Sequence, residues 1–287
     1  MPDDRVSPLA ESDLPSVTIV IVVYNRRDEL REVLHRMLSE SDYPTDRVDI
    51  VVVDNASSDG SAAMVRDEFA QVQLIARGTN IGAPAWNDGF AVARGDYVLI
   101  LDDDCYLPPD GLRWAVSAAR EHEARLVSFK VISTADPSWV LTEKYRTGLF
   151  TFWGCAWVVD QRVLSELRGY DPELFMWANE LEFTIRFLDR GYRHLHLPDV
   201  VARHMKPPPD SAEEIEIRGY KINARHWPYV AAKLLSGAMR SRHFSQYSCS
   251  SCGTPYGAPQ QRFSQSQPPS RDSAMDCDFG HRFVLRC

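Results

Sequence analysis

Three consecutive aspartates, Asp102–Asp104, follow an apolar segment and have the composition of a metal or phosphate site. Hard divalent cations such as Mg²⁺ and Mn²⁺ take oxygen ligands and commonly combine one or two carboxylates with substrate phosphates. Alone, such a run is equally typical of a solvated turn or a helix N-cap. Asp54, however, follows a second, largely apolar run, Asp49–Val53. If both runs are strands of one sheet, their ends bring carboxylates to one edge of it, and turn chemistry does not explain such an arrangement. We therefore predict a divalent cation, Mn²⁺ or Mg²⁺, at these carboxylates.

The elements that must position these carboxylates alternate between strands and helices. β-Branched runs without polar alternation indicate strands buried on both faces of a parallel sheet, and apolar residues at helical spacing indicate helices packed on it. The predicted strands are Val17–Val23, Asp49–Val53, Val72–Ala76 and Tyr97–Leu101, and the predicted helices are Asp28–Ser39, Ala62–Phe69 and Asn87–Ala93. This alternation is typical of an open α/β sheet flanked by helices.

Polar residues follow the predicted strands at the points where they end. Ligands of open α/β sheets bind beyond the carboxyl ends of the strands. In this chain those ends carry Tyr24–Asn25, Asp54–Asn55 and Asp102–Asp104. Like charges gathered at one edge repel each other unless a cation neutralises them. We expect these strand ends to form the ligand-binding edge.

The second half of the chain has a weaker pattern. It predicts a strand over Arg125–Val131, a helix over Arg162–Leu167, a helix over Asn179–Leu188 and an edge strand over His194–Leu197. His194 and His196 alternate along the last strand, and we interpret them as structural residues that face opposite sides of it.

Length and charge limit the classes of function. The 287 residues give room for one large domain or two small ones. The net charge of −8 argues against a nucleic-acid partner, because nucleic-acid binding depends on a basic surface. The N-terminal segment lacks the basic and apolar parts of a secretory signal, and no apolar stretch approaches the ~20 residues of a transmembrane helix. We expect a cytoplasmic protein whose contact with membranes is at most peripheral, at the inner face.

The composition changes beyond residue 235. From Ala238 to Cys287 the chain contains no Lys and no Glu, and Ser, Gln, Pro and Cys dominate. Such a segment cannot bury enough apolar surface to offset its chain entropy, so we predict a disordered tail, with an out-of-frame or truncated end as the alternative. Cys249 and Cys252 lack a second ligand pair at zinc-site spacing, which disfavours a zinc site. The expected divisions are a flexible segment 1–15, one domain over 16–235 with a nucleotide-binding half 16–117 and an acceptor half 118–235, and the tail 236–287.

Ordered motifs extend across the patterned part of the chain. They read VTIVIVVYNRRDEL, IVVVDNASSDGS and GTNIGAPAWNDGFAVARGDYVLILDDD. This succession, over about Val17 to Leu197, resembles the family 2 glycosyltransferases, inverting enzymes of the GT-A fold that use nucleotide-activated sugars. The resemblance implies a GT-A-like, Rossmann-type open mixed sheet and a UDP- or dTDP-sugar as the donor. It implies an acceptor that is a sugar, a lipid-linked molecule or a small molecule, in cell-wall or glycoconjugate biosynthesis.

The resemblance also assigns the nucleoside side of the site. It implies that Tyr24, Asn25 and Asp54 line the nucleoside pocket, with Asp54 accepting a hydrogen bond from the base. Asn80 is assigned to the nucleotide sugar as part of the family's Asn-x-Gly-rich segment. The residues that match this segment are Asn80, Gly82, Asn87 and Gly89.

The metal side follows from the same resemblance. It places Asp102 near the ribose and the metal, Asp103 at the nucleotide sugar, and Asp104 as a direct metal ligand. His204 lies where many members place a histidine that completes the metal or diphosphate site; a purely structural histidine is the alternative. The basic residues flanking it, which would then face the diphosphate, are Arg203 and Lys206.

The acceptor side departs from the family pattern. Where members show Glu-Asp and a further Asp two residues on, this chain has Asn179, Glu180 and Glu182. The resemblance makes Glu180 the base that deprotonates the acceptor. For both glutamates the alternative is a first-turn pair favoured by the helix dipole. The acceptor-side candidates are Trp153, Gly154, Trp177 and Glu182, with core packing as the alternative for the tryptophans.

Two other functions remain open. A sugar nucleotidyltransferase is disfavoured because the first strand is not followed by a Gly-rich, Lys-bearing phosphate loop. A non-catalytic or degenerate sugar-nucleotide-binding protein is compatible with the irregular Asn179–Glu180 pair.

Displacement of a nucleoside diphosphate requires a cation for the leaving group and a carboxylate for the acceptor proton, and the chain offers both. We therefore expect a metal-dependent, inverting glycosyltransferase that transfers a hexosyl or deoxyhexosyl group.

Overall fold

The computed structural model describes residues 7–140, 152, 154–205, 226, 229–230 and 233–234, together with two backbone strands near the C-terminus. Its strands are β1 Val17–Val23, β2 Val48–Asp54, β3 Gln73–Ala76, β4 Tyr97–Asp102, β5 Cys105–Tyr106, β6 Leu126–Ser133, β7 Ala156–Asp160, β8 His194–His204, β9 Met275–Asp278 and β10 Arg282–Leu285. Its helices are α1 Arg27–Ser39, α2 Ser61–Glu68, α3 Trp86–Val92, α4 Gly111–Glu121, α5 Gln161–Leu167 and α6 Asn179–Asp189.

Eight of these strands form one mixed sheet in the order β3-β2-β1-β4-β7-β6-β8-β5. β1 pairs in parallel with β2 and β4, and β2 pairs in parallel with β3. β7 runs antiparallel to both β4 and β6, β8 is parallel to β6, and β5 is antiparallel to β8. The predicted open α/β sheet flanked by helices is confirmed.

The apolar residues of β1 pack into two cores, one on each face of the sheet. Ile19 and Ile21 lie in a core with residues of α1, α2 and α4, whereas Val20 lies in a second core with residues of α3, α5 and α6. Burial of both faces explains why this strand shows no polar alternation. At Gly89 of α3 a Cβ atom would lie 2.2 Å from Val20 Cγ1, so the helix approaches the sheet at a distance that requires glycine.

The register of the parallel strands brings the predicted polar ends together. Val23, the last residue of β1, pairs with Asp54, and Val22 pairs with Asp102. The carboxyl ends of β1, β2 and β4 therefore meet at one edge of the sheet, as the alternating pattern predicts.

The second half of the sheet differs from the sequence prediction in two elements. The predicted edge strand continues to His204 and lies between β6 and β5, so it is not an edge strand. Its pairing with β6 jumps from Leu197 opposite Phe129 to Val201 opposite Lys130, because Pro198 and its neighbours bulge out of the ladder. Helix α4, which the sequence analysis did not identify, covers one face of the sheet with small residues such as Ala115.

The C-terminal part of the chain is described only at β9 and β10, which pair antiparallel. The rest of the segment predicted to be disordered lies outside the described residues, so the predicted boundary at residue 235 stays a prediction. Within the described parts of the chain, no helix is both long and apolar enough to cross a membrane.

Candidate active site

The loops that follow β1 and β2 are joined by Asn25. Its Oδ1 accepts a hydrogen bond from the backbone amide of Ser58 at 2.7 Å, and the backbone amide of Asn25 donates to Ser57 Oγ at 3.0 Å. Asn25 has a φ of 54°, a left-handed conformation that asparagine tolerates better than most side chains. Asp54 is buried and Tyr24 is 47% exposed, so the strand ends present one fixed carboxylate and one accessible aromatic ring.

Asn55, which directly follows β2, fixes the loop before α3. Its Nδ2 donates to Asn80 Oδ1 at 2.9 Å and to the carbonyl of Gly82 at 3.2 Å, while its Oδ1 accepts from the amide of Ile81 at 3.0 Å. Asn80 Oδ1 also accepts from the amide of Gly82 at 2.8 Å. The structure therefore brings Asn80 to the same edge as Asp54, but its side-chain oxygen is occupied by loop contacts. Asn55 was predicted to lie at a strand end, but its sequence position alone assigned it no function.

Asp102, Asp104 and His204 form a compact group of potential metal ligands. One ligand atom from each residue lies within 4.8 Å of the others. β5 and β8 create this arrangement, because Cys105 pairs with His204 and the amide of Met205 donates to the carbonyl of Asp104 at 2.7 Å. His204 Nε2 lies 3.2 Å from Asp104 Oδ1.

The chemistry of these side chains suits a divalent cation. Carboxylates are the ligands that hard divalent cations prefer, and imidazole is a common ligand of divalent transition metals. His204 and Asp104 are both buried, which limits the water that competes for a bound cation. The group consists of the three residues that the resemblance assigned to the metal.

Arg26 provides a cation that the sequence analysis did not identify at this site. Its Nη1 lies 3.3 Å from Asp103 Oδ1 and also contacts Asp104 Oδ2. Burial opposes the charge of Arg26, yet the carboxylates of Asp103, Asp104 and Asp102 together raise its pKa above the ordinary value. Burial raises the pKa of Asp103 well above its ordinary range, although Arg26 acts in the opposite direction. The one sequence signal for this residue was its position directly after Tyr24–Asn25.

Glu180 lies in the first turn of α6 and contacts the backbone at Gly154. A Cβ atom on Gly154 would lie 2.0 Å from Glu180 Oε1, so a larger residue at this position would displace the Glu180 carboxyl group. Burial raises the pKa of Glu180 to about 7, and the negative charge of Asp102 acts in the same direction. A carboxyl group with this pKa is suited to accept a proton near neutral pH. Asp102 thus lies within electrostatic range of both the candidate metal group and Glu180.

Glu182 has a different environment from Glu180. It is fully buried, Arg186 donates to its two carboxylate oxygens at 2.8 and 2.6 Å, and Lys233 Nζ lies 2.9 Å from its Oε1. Lys233 also contacts Asp171, which accepts from the Tyr229 hydroxyl at 2.9 Å. These contacts favour a structural role for Glu182, in which it connects α6 to Lys233.

The remaining predicted residues lie before α6, at its start or near the end of β8. Trp153 and Lys206 lie outside the described residues. Trp177 is half-buried and precedes α6 with a φ of 67°, and Asn179 Nδ2 donates to the carbonyl of Leu174 at 2.8 Å. Arg203 is exposed on β8.

The prediction that His194 and His196 face opposite sides of their strand was wrong. Ser128 Oγ lies 2.8 Å from His194 Nε2 and 3.0 Å from His196 Nδ1, so both rings lie on one face. Residues two positions apart on a strand point to the same side. Burial lowers the pKa of His194 well below its ordinary value and also lowers that of His196.

Comparison with known proteins gives one matching family model. The model described as Glycosyl transferase family 2 matches residues 18–180, which is more than half of the chain.

Individual relatives share between a quarter and a third of their residues with this chain over the aligned segments. The probable glycosyltransferase YdaM of Bacillus subtilis is 25% identical over 221 residues, which make up 68% of this chain and 52% of YdaM. An undecaprenyl-phosphate 4-deoxy-4-formamido-L-arabinose transferase of Aeromonas hydrophila is 31% identical over 115 residues, 38% of this chain and 35% of that protein. The chain therefore spans about half the length of the first relative and about a third of the second.

Among solved structures, the mannosyltransferase PcManGT from Pyrobaculum calidifontis, in complex with GDP-Man and Mn²⁺, has a similar fold. The TM-score is 0.64 at 26% sequence identity, and the match covers 82% of this chain and 68% of that chain.

Proposed function

The chain belongs to glycosyl transferase family 2, with a GT-A-like fold, and on that basis we propose the reaction that its site performs. The chain transfers a hexosyl or deoxyhexosyl group from a UDP- or dTDP-sugar to an acceptor hydroxyl in one inverting displacement. The observation that carries the proposal is the position of Asp102. It belongs to the candidate metal group, and its charge adds to burial, the larger cause, in raising the pKa of Glu180 to about 7. The leaving-group side and the proton-accepting side of the site thus meet at one residue.

In this proposal residues 16–117 bind the donor. Tyr24, Asn25 and Asp54 line the nucleoside pocket, where the buried Asp54 carboxylate accepts a hydrogen bond from the base and the exposed Tyr24 ring is accessible for stacking. Asn80 completes the pocket through the loop that Asn55 fixes. Asp103 lies at the donor's sugar and phosphate side, next to Asp102.

Asp102, Asp104 and His204 would hold a divalent cation, Mn²⁺ or Mg²⁺. Such a cation supplies Lewis-acid stabilisation of the negative charge that develops on the departing diphosphate. The donor chemistry of the three side chains supports this assignment. The bound GDP-Man and Mn²⁺ in the similar mannosyltransferase structure also support it.

Residues 118–235 bind the acceptor and supply the base. Glu180 takes the proton of the acceptor hydroxyl while that oxygen forms a bond to the anomeric carbon, and the bond from this carbon to the diphosphate oxygen breaks. Because attack and departure occur on opposite faces of the carbon, the anomeric configuration inverts. Gly154 and Trp177 lie on the acceptor side of Glu180. The name of the Aeromonas hydrophila relative supports a lipid-linked acceptor as one class, beside sugars and small molecules.

Donor turnover tests this proposal with two variants that separate binding from chemistry. We expect the wild-type protein with Mn²⁺ to release UDP or dTDP from its donor in the presence of acceptor hydroxyls. We expect Asp104→Ala to lose metal-dependent donor binding. We expect Glu180→Gln to bind the donor but to release no UDP or dTDP. Binding of a nucleotide sugar without release by the wild-type protein, with any acceptor class, would identify a non-catalytic binding protein and contradict the proposal.

A further inference from the structure

Arg26 is the cation nearest to the aspartate cluster in the described part of the chain. We propose that Arg26 is a built-in counter-ion that competes with the divalent cation for Asp104 and then binds the diphosphate of the donor. This inference rests on the proposed function, because it assumes both the cation and the diphosphate.

The competition follows from the contacts of one carboxylate. Arg26 Nη1 contacts Asp104 Oδ2, and the other oxygen of the same group, Oδ1, lies 3.2 Å from His204 Nε2. Asp104 therefore contacts the guanidinium through one oxygen and a candidate metal ligand through the other. Its side chain is 4% exposed, so the space around it is limited. A guanidinium and a divalent cation on one buried carboxylate repel each other, so each weakens the binding of the other.

The charge of the cluster indicates where Arg26 goes when the cation binds. Arg26 pairs with Asp103 and Asp104, and His204 lies beside Asp104. A divalent cation on Asp102 and Asp104 brings two positive charges to the same group of carboxylates, so it takes over the charge compensation that Arg26 provides. A diphosphate that arrives with the cation provides a new anion, and the planar fork of arginine matches phosphate oxygens.

The backbone of Arg26 is fixed, whereas its side chain has access to solvent. Its carbonyl accepts the hydrogen bond of the Leu30 amide at 3.0 Å at the start of α1. Its side chain is 37% exposed, and the residue directly follows Tyr24 and Asn25, both of which are exposed at the ligand-binding edge. A change of rotamer therefore moves the guanidinium between the aspartates and this edge without movement of the helix.

Arg26→Ala tests the inference by two binding measurements that change in opposite directions. We expect Mn²⁺, titrated alone by calorimetry, to bind the variant about tenfold more tightly than the wild type. We expect UDP, titrated at saturating Mn²⁺, to bind about tenfold more weakly, while uridine, which has no phosphate, binds equally. Each tenfold change corresponds to about 1.4 kcal/mol.

Arg27→Ala is the matched control, because Arg27 is the next residue and its guanidinium pairs with the exposed Asp28. We expect this variant to match the wild type in both titrations. Arg26→Lys provides a second test that keeps the positive charge but removes the fork; it should bind Mn²⁺ like the wild type and UDP more weakly.

The outcomes separate this inference from the proposed function. If wild type binds Mn²⁺ and both Arg26 variants bind Mn²⁺ and UDP as the wild type does, Arg26 has neither role and the inference is overturned while the proposed function stands. Weaker binding of both ligands by Arg26→Ala indicates a purely structural residue and also overturns it. If neither wild type nor Arg26→Ala binds Mn²⁺, the metal-dependent function itself is contradicted.

Discussion

Gly154 and Glu180 are in contact across the acceptor side of the site, because a Cβ atom on Gly154 would lie 2.0 Å from Glu180 Oε1. The backbone before β7 therefore forms one wall of the position in which the Glu180 carboxyl group is held. Burial raises the pKa of the Glu180 carboxyl group, which lies against this wall, to about 7. A glycine outside any helix or strand thus leaves the space in which the proposed base lies.

Gly154→Ala is expected to displace the Glu180 carboxyl group. Because a misplacement of about 1 Å at a reacting group costs up to about 100-fold in rate, we expect turnover to fall by about 10- to 100-fold. Donor binding with Mn²⁺ should be unchanged, since Gly154 does not belong to the donor half. Steady-state kinetics together with UDP calorimetry measure the two effects. Equal turnover in Gly154→Ala and wild type would show that the position of the Glu180 carboxyl group does not limit the reaction.

The pH dependence of turnover reports the protonation of Glu180. The proposed base acts only when it is deprotonated, and its pKa is raised to about 7. We expect kcat to fall about tenfold per pH unit below this value and to level off above it. Glu180→Asp, which keeps a carboxylate but changes its reach, should retain an acidic limb. A rate that is constant from pH 5 to 8 would contradict the role of Glu180 as base.

The same pKa predicts an effect on stability with the opposite sign to that on activity. Glu180 binds its proton more tightly in the folded than in the unfolded state, so ionisation destabilises the fold as the pH rises through the range from about 4.5 to about 7. We therefore expect Glu180→Gln to increase the free energy of unfolding by about 1–3 kcal/mol at pH 8 and to have little effect at pH 4. Urea denaturation at both pH values measures the difference. A lower free energy of unfolding for Glu180→Gln than for the wild type at pH 8 would contradict the raised pKa of Glu180.

The ion pairs of Glu182 are expected to stabilise the start of α6. Glu182→Ala leaves Arg186 without its carboxylate partner in a largely buried position, and such changes cost about 3–5 kcal/mol. The matched control is Glu166→Ala, which breaks an exposed pair with Arg190 and should cost at most about 1 kcal/mol. Thermal denaturation compares the two variants. If the two melting temperatures fall equally, the Glu182 cluster is no more stabilising than a surface pair.

Much of the fold follows from the sequence because its strands are buried on both faces. The β-branched runs of β1, β2 and β4 indicate strands buried in a parallel sheet, and the polar residues after them, such as Asp54, mark the ligand-binding edge. β8 was only partly predicted, since Pro198 interrupts a strand that resumes at Val201. The residue pattern of a single strand does not show that its pairing with a neighbouring strand resumes after a bulge.

The sequence predicted the three side chains that the structure groups as potential metal ligands, but it did not predict the arginine beside them. Asp102, Asp104 and His204 were assigned through motif positions, and the pairing of β5 with β8 brings them together. Arg26 was missed because an arginine at a strand end has no sequence feature that distinguishes it from a solvated one. Its role depends on a contact across 77 residues with Asp103, which only the fold creates.

Calorimetric titration of UDP-, dTDP- and GDP-sugars into the protein, with and without Mn²⁺, tests the central claim most directly. The variants are Asp104→Ala and, as control, Asp46→Ala, which removes an exposed carboxylate on the turn between α1 and β2. We predict metal-dependent binding of a UDP- or dTDP-sugar by the wild type and the control, and its loss in a folded Asp104→Ala protein. Binding that is the same with and without Mn²⁺, and that Asp104→Ala retains, would contradict a metal-dependent donor site at Asp102, Asp104 and His204.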